Sequence, residues 1–115
     1  MALKGVQIIA SEFRASDGNG FAAVNPATGR TLEPRFLEAS PADVASAVDA
    51  AAEAFDRYRI LPLEQRAQFL DDIGEELLSC APELIARTSA ETALDETRLE
   101  GELARTVTQL KLFAR

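Results

Sequence analysis

At 115 residues the chain is near the commonest size for one domain, and 47% hydrophobic with 27% charged residues is the composition of a folded protein, not a disordered one. A net charge of −7, from 19 acidic and 12 basic residues, repels phosphate backbones and anionic lipid surfaces, so neither nucleic acid nor a membrane is an expected partner. One Cys and no His leave no route to an internal disulfide, a Cys-His metal cluster or a His general base. A cytoplasmic setting is expected.

The opening MALKGVQIIASEF carries an apolar run too short for a signal segment or a membrane span. Residues 6–9 and 21–24 are short apolar runs separated by Ser16-Asp17-Gly18-Asn19-Gly20, whose Gly and Asn residues tolerate positive φ. This predicts strand, turn, strand. A third extended run, Thr31–Leu37, follows the cassette Asn25-Pro26-Ala27-Thr28-Gly29, in which Pro26 presets φ and Gly29 can take the left-handed position that closes a turn. Residues 1–39 are therefore expected to form a small unit of β-strands and turns.

At Ser40 the period becomes helical. Ser40-Pro41-Ala42-Asp43 is a capping signature, with Ser40 as N-cap, Pro41 at the first helical position and Asp43 near the positive end of the helix dipole. Val44, Val48, Ala51, Ala52, Phe55 and Tyr58 then recur at spacings of three and four and predict the buried stripe of a first helix. Pro62 opens a second helix, whose expected apolar face is Ala67, Leu70, Ile73, Leu77 and Leu78. Pro82 starts a third, with Leu84 and Ile85 inward. Beyond a break near Asp95, Leu99, Leu103, Val107, Leu110 and Phe113 mark a fourth that reaches Arg115 without a Gly, Asn or Pro to stop it. An uncapped end of this kind leads us to expect a chain truncated at its C-terminus, a piece of something longer.

Chemistry within the 115 residues is sparse. The sequence holds no G-x-G-x-x-G, no Walker-type loop, no G-x-S-x-G elbow and no metal-ligand spacing, so no catalytic, cofactor-binding or metal-ligating residue is assigned. Cys80 follows Glu75 and Glu76 at a helix end, surroundings that do not build a nucleophile, and is read as a structural, half-buried thiol. The pairs Asp71-Asp72 and Glu75-Glu76 read as a solvated helix face.

The succession VNPATGRTL, the Ser-Pro-Ala-Asp-Val cap, AAEAF, PLEQRA, AET and LKLFA, in that order and spacing, resembles the N-terminal region of NAD(P)-dependent aldehyde dehydrogenases along nearly the whole chain. YRILPLEQRAQFL and RLEGELARTVTQLKLFA are similar to the branch that oxidises 2-oxoglutarate semialdehyde (2,5-dioxopentanoate). The resemblance implies an α/β, Rossmann-like parent in which residues 40–115 are the helical part of the cofactor-binding domain. It implies NAD or NADP as the parent's cofactor, with none bound by this segment alone. A small-molecule aldehyde substrate and a homo-oligomeric parent are implied as well. The family's catalytic cysteine, general-base glutamate and nucleotide-binding segments lie beyond position 115.

Two features depart from the family pattern, namely Asp95 where a proline is usual and Ala93 where a glycine is usual. In relatives the fourth helix turns one face toward the aldehyde entrance, which makes Glu102 and Arg105 candidate substrate-channel residues. Arg105 could hold the remote carboxylate of the substrate through a charge-assisted contact, or pair with Glu102 or Glu91 on the surface. Two readings outside catalysis remain open at this stage, an autonomous helical interaction module and a gene remnant without function.

Overall fold

The computed structural model describes residues 3–115. Among them the order is β1 (Gln7–Ile9), β2 (Glu12–Arg14), β3 (Gly20–Val24), β4 (Thr31–Leu37), then α1 (Pro41–Tyr58), α2 (Leu63–Ser79), α3 (Ala81–Thr92) and α4 (Glu96–Phe113). The strands form two separate antiparallel hairpins, β1 with β2 and β3 with β4. Two compact units result. The strand unit comprises the described residues through Val24 together with Thr31–Ile60; the helical unit comprises Asn25–Arg30 and Leu61–Arg115. Packing partners thus change after Ile60, whereas Ser40 marks only the change of element type.

The strand expected at residues 6–9 forms, but it does not turn at residues 16–20 to meet β3. Its chain reverses at once through Ala10 and Ser11, at φ 51° and 67°, and pairs Ile8 with Phe13 in β2. Neither residue type favours the left-handed region, so the sequence carried no Asn-Gly signal for this turn. β1 is tied instead to the end of β4, where Leu37 N–H donates to Gly5 O at 2.9 Å and Gln7 Nε2 donates to Leu37 O at 2.8 Å. A Cβ on Gly5 would lie 1.7 Å from Arg35 O, so only glycine permits this approach.

The turn between β3 and β4 is the one expected, with Gly29 at φ 70° and its N–H donating to Asn25 O at 2.8 Å. Asn25 adds a local lock, its Oδ1 accepting from Ala27 N (2.9 Å) and Thr28 N (3.1 Å). The ladder between these strands slips between Phe21 and Ala23, opposite the stretch of β4 that holds Pro34, which has no N–H to offer. Phe21 and Phe36 stack across it at 5.8 Å.

α1 begins at a full capping box: Ser40 Oγ accepts from Asp43 N at 3.1 Å while Asp43 Oδ2 accepts from Ser40 N at 2.9 Å. Its packing differs from expectation. Ala47, Ala50, Ala51 and Ala54 line a concavity with Ile8 and Ile9 of β1, while Val44, Val48 and Phe55 are exposed. Small side chains let the strand approach closely, and the larger apolar stripe faces away from it. No residue of α1 is buried.

α2 starts directly after Pro62, as expected, and α3 starts one residue before Pro82. α3 stops at Ala93, at φ 58°, whose N–H donates to Ser89 O at 2.8 Å. Alanine therefore takes the left-handed cap that glycine usually supplies, against a steric cost of about 1 kcal/mol. No helix of the described residues is long and apolar enough to cross a membrane.

Candidate functional site

α4 carries both residues singled out for substrate contact. Asp95 caps it, its side chain accepting from Thr97 N at 2.9 Å, and Glu96 at the start and Lys111 near the end complement the helix dipole. Leu99 and Val107 are its buried face, 7% and 6% exposed. α2 runs antiparallel to it: Leu77 shares a concavity with Leu99 and Leu103, and Leu70 shares another with Leu110 and Phe113. Between them the helices close at Gly74, which is buried, and a Cβ there would stand 3.5 Å from Val107 Cγ1. Lys111 Nζ donates to Glu75 Oε1 across the pair at 2.7 Å, a contact that raises the lysine's pKa above its ordinary value.

Glu102 and Arg105 meet on the outer side of this helix. Arg105 Nε (3.1 Å) and Nη2 (2.6 Å) both donate to one oxygen, Glu102 Oε2. The Arg105 side chain is 79% exposed and that of Glu102 48%. Glu91, the other candidate partner, is held by Arg87 instead. Arg105 lines an open concavity of about 580 Å³ with Leu70, Thr106, Gln109, Leu110 and Phe113. Glu102 does not line it; it faces a smaller hollow with Leu77, Leu84 and Leu99. A guanidinium and an amide over an apolar floor can hold a short anionic molecule, the Thr106 hydroxyl being committed to Glu102 O at 2.9 Å, but they contain no acid-base pair. Gln109 was missed in the sequence, although its place four residues after Arg105 on a helix could have found it.

Cys80 sits between α2 and α3, closing the first and preceding the second. It is half-buried, and its thiol donates to Leu77 O at 3.5 Å. The concavity around it, about 780 Å³, is lined by Phe69, Ile73, Leu77 and Pro82 with Asp72, Glu76 and Glu83, and by no Lys, Arg or second thiol. Of these carboxylates, Asp72 accepts from Gln68 Nε2 at 2.8 Å. Among the described residues no three His, Cys, Asp or Glu side chains gather as a metal site.

Comparison with known proteins gives a consistent result. Residues 13–115 match the aldehyde dehydrogenase family. The chain is 43% identical over 116 positions to the alpha-ketoglutaric semialdehyde dehydrogenase 2 of Azospirillum brasilense, covering 100% of this chain and 22% of that protein. It is 32% identical over 96% of its length to the alpha-ketoglutaric semialdehyde dehydrogenase of Acinetobacter baylyi, of which it covers 21%. Similarity of 37% over 85% of the chain links it to the N-succinylglutamate 5-semialdehyde dehydrogenase 2 of Caulobacter vibrioides, of which 20% is covered. The chain spans about a fifth of the length of these curated relatives.

Proposed function

We propose, from the premise that this chain belongs to the aldehyde dehydrogenase family, that it is the N-terminal part of an enzyme oxidising 2-oxoglutarate semialdehyde to 2-oxoglutarate. The observation that carries this reading is the 43% identity along the entire chain to a protein of that named activity, supported by a second relative of the same name. Alpha-ketoglutaric semialdehyde is the same compound under its older name. The enzyme is read as a cytoplasmic homo-oligomer.

NAD or NADP would supply the hydride acceptor, but the residues of this segment do not fit it. A dinucleotide pyrophosphate is commonly held at an open helix N-terminus. Each helix described here carries an acid in its first turn, Asp43, Glu64, Glu83 and Glu96 in order, which already balances that end. The cofactor and the groups that act on the aldehyde are therefore assigned to residues beyond 115.

What this segment contributes to the substrate is Arg105. A semialdehyde of a dicarboxylic acid carries a carboxylate remote from the reacting carbon, and Arg105 is the cation of the concavity it shares with Thr106 and Gln109. The test is steady-state kinetics of the full-length enzyme, followed by NAD(P)H absorbance, with 2-oxoglutarate semialdehyde, N-succinylglutamate 5-semialdehyde and propanal. Highest kcat/KM for the first is expected, and Arg105→Met should raise its KM about tenfold while sparing propanal. Preference for N-succinylglutamate 5-semialdehyde would overturn the substrate assignment. The 115-residue chain alone should form no NAD(P)H, and turnover by it would place the catalytic groups within this segment after all.

A further inference from the structure

The two nitrogens through which Arg105 binds Glu102 are Nε and Nη2, the side edge of the guanidinium, and both reach the same carboxylate oxygen. A guanidinium has five N–H donors, and this contact uses one on each of those two nitrogens. The end edge, one N–H of Nη1 beside the second N–H of Nη2, is left for another acceptor. That edge has the spacing for a bidentate carboxylate. Glu102 itself is absent from the wall of the concavity that Arg105 lines. It therefore holds the side edge of the guanidinium without lining that concavity.

Building on the proposed role of Arg105, we infer that Glu102 is a positioning and attenuating residue for the substrate carboxylate. Held at its side edge, the guanidinium has fewer orientations and its end edge is left for a substrate carboxylate, which favours one binding geometry over the many open to a free arginine. At the same time the pair is formally neutral, so the attraction an anionic substrate feels is smaller than a lone Arg would give. The two effects separate in the choice of substitution. Glu102→Gln keeps an oxygen that can accept from Nε and removes the charge. Glu102→Ala removes both.

The experiment uses the full-length enzyme and compares KM and kcat for 2-oxoglutarate semialdehyde and for propanal. Glu102→Gln should lower KM for the carboxylated aldehyde about threefold, the size of an exposed ion-pair interaction, with kcat unchanged and propanal unaffected. Glu102→Ala removes the charge but also the orienting acceptor, so it should lower that KM less than Glu102→Gln does, and an equal or larger decrease would rule out the positioning role. In an Arg105→Met background neither substitution should matter. If Arg105→Met has its expected effect but Glu102→Gln leaves KM unchanged or raises it, the inference falls while Arg105 as anchor survives. If Arg105→Met itself has no substrate-dependent effect, the underlying reading of the site falls first. Equal changes for both aldehydes would mark Glu102 as merely structural and also overturn the inference.

Discussion

In the helical unit, α2 and α4 meet across a glycine, and Leu99 and Val107 are withdrawn from water; in the strand unit, α1 meets β1 through alanines, and Phe55 remains 60% exposed. The first unit has a small core of its own. The second is held by directional contacts, namely two hairpins, the Gly5–Leu37 link and the Ser40–Asp43 box, with Ile9 as its buried apolar side chain among the described residues. The difference teaches that apolar periodicity does not say where a helix is covered. α1 and α4 both carry a clear stripe, but Val44, Val48 and Phe55 of α1 are exposed while Leu99 and Val107 of α4 are buried. Hairpins followed by helices are the N-terminal part of the family's α/β fold, whose other layers lie outside this segment.

The comparison breaks most readily on core truncation. Leu99→Ala should destabilise the chain by about 2–3 kcal/mol in urea unfolding, through lost burial and the cavity left behind. Phe55→Ala removes a larger side chain yet should cost less than about 0.5 kcal/mol, since its ring is mostly in water already. Equal losses would mean that the two units do not differ in this way.

A sharper contrast comes from one substitution made in both units. Gly5→Ala drives a methyl into Arg35 O and should cost about 1–3 kcal/mol, with loss of the Leu37 amide's protection from exchange. Gly74→Ala puts its methyl at ordinary contact distance from Val107 and gains helix propensity, so it should be neutral or stabilising by up to about 1 kcal/mol. A destabilised Gly74→Ala would show α2 and α4 to be closer than this geometry allows.

Ala93 offers a smaller effect. At φ 58° it bears the steric cost of the left-handed cap, and Ala93→Gly should raise stability by about 0.5–1 kcal/mol, read as an upward shift of Tm. Unchanged stability would mean that the cap is not formed in solution.

The smallest concerns pH. Hydrogen bonds from the Ser40 hydroxyl, and then from its backbone N–H, hold the Asp43 carboxyl below its ordinary value of 3.8. The folded pKa is depressed, so the contribution of the cap is present above that value and is lost as pH falls through the folded pKa. Amide exchange at Ser40 and at residues 42–44 should accelerate in the native chain only as pH falls below the ordinary carboxylate value of 3.8. Ser40→Ala removes the hydroxyl and keeps the backbone N–H, so it should weaken that acid-dependent step and move it to higher pH, and a step left unchanged would assign it to another carboxylate.

Element ends were determined by the sequence alone. Ser40 with Asp43, Pro62, Pro82, Asp95 and the residues 25–29 cassette each act through hydrogen bonds or φ restrictions within a few residues, which no distant partner needs to supply. The Arg105–Glu102 ion pair was legible for the same reason, three residues apart on one helix, whereas their candidacy for substrate contact came from the resemblance alone. Tertiary structure decided the rest. The left-handed reversal at Ala10-Ser11 goes against local preference and stands where β1 also joins the end of β4. The alanine side of α1, rather than its larger apolar stripe, is the one that lies beside β1, although of these alanines only Ala50 is half-buried. Gly74, unremarkable in a helical sequence, marks the crossing of two helices separated by some thirty residues. Such contacts join parts of the chain that carry no local record of one another, so their geometry emerges only when the elements pack.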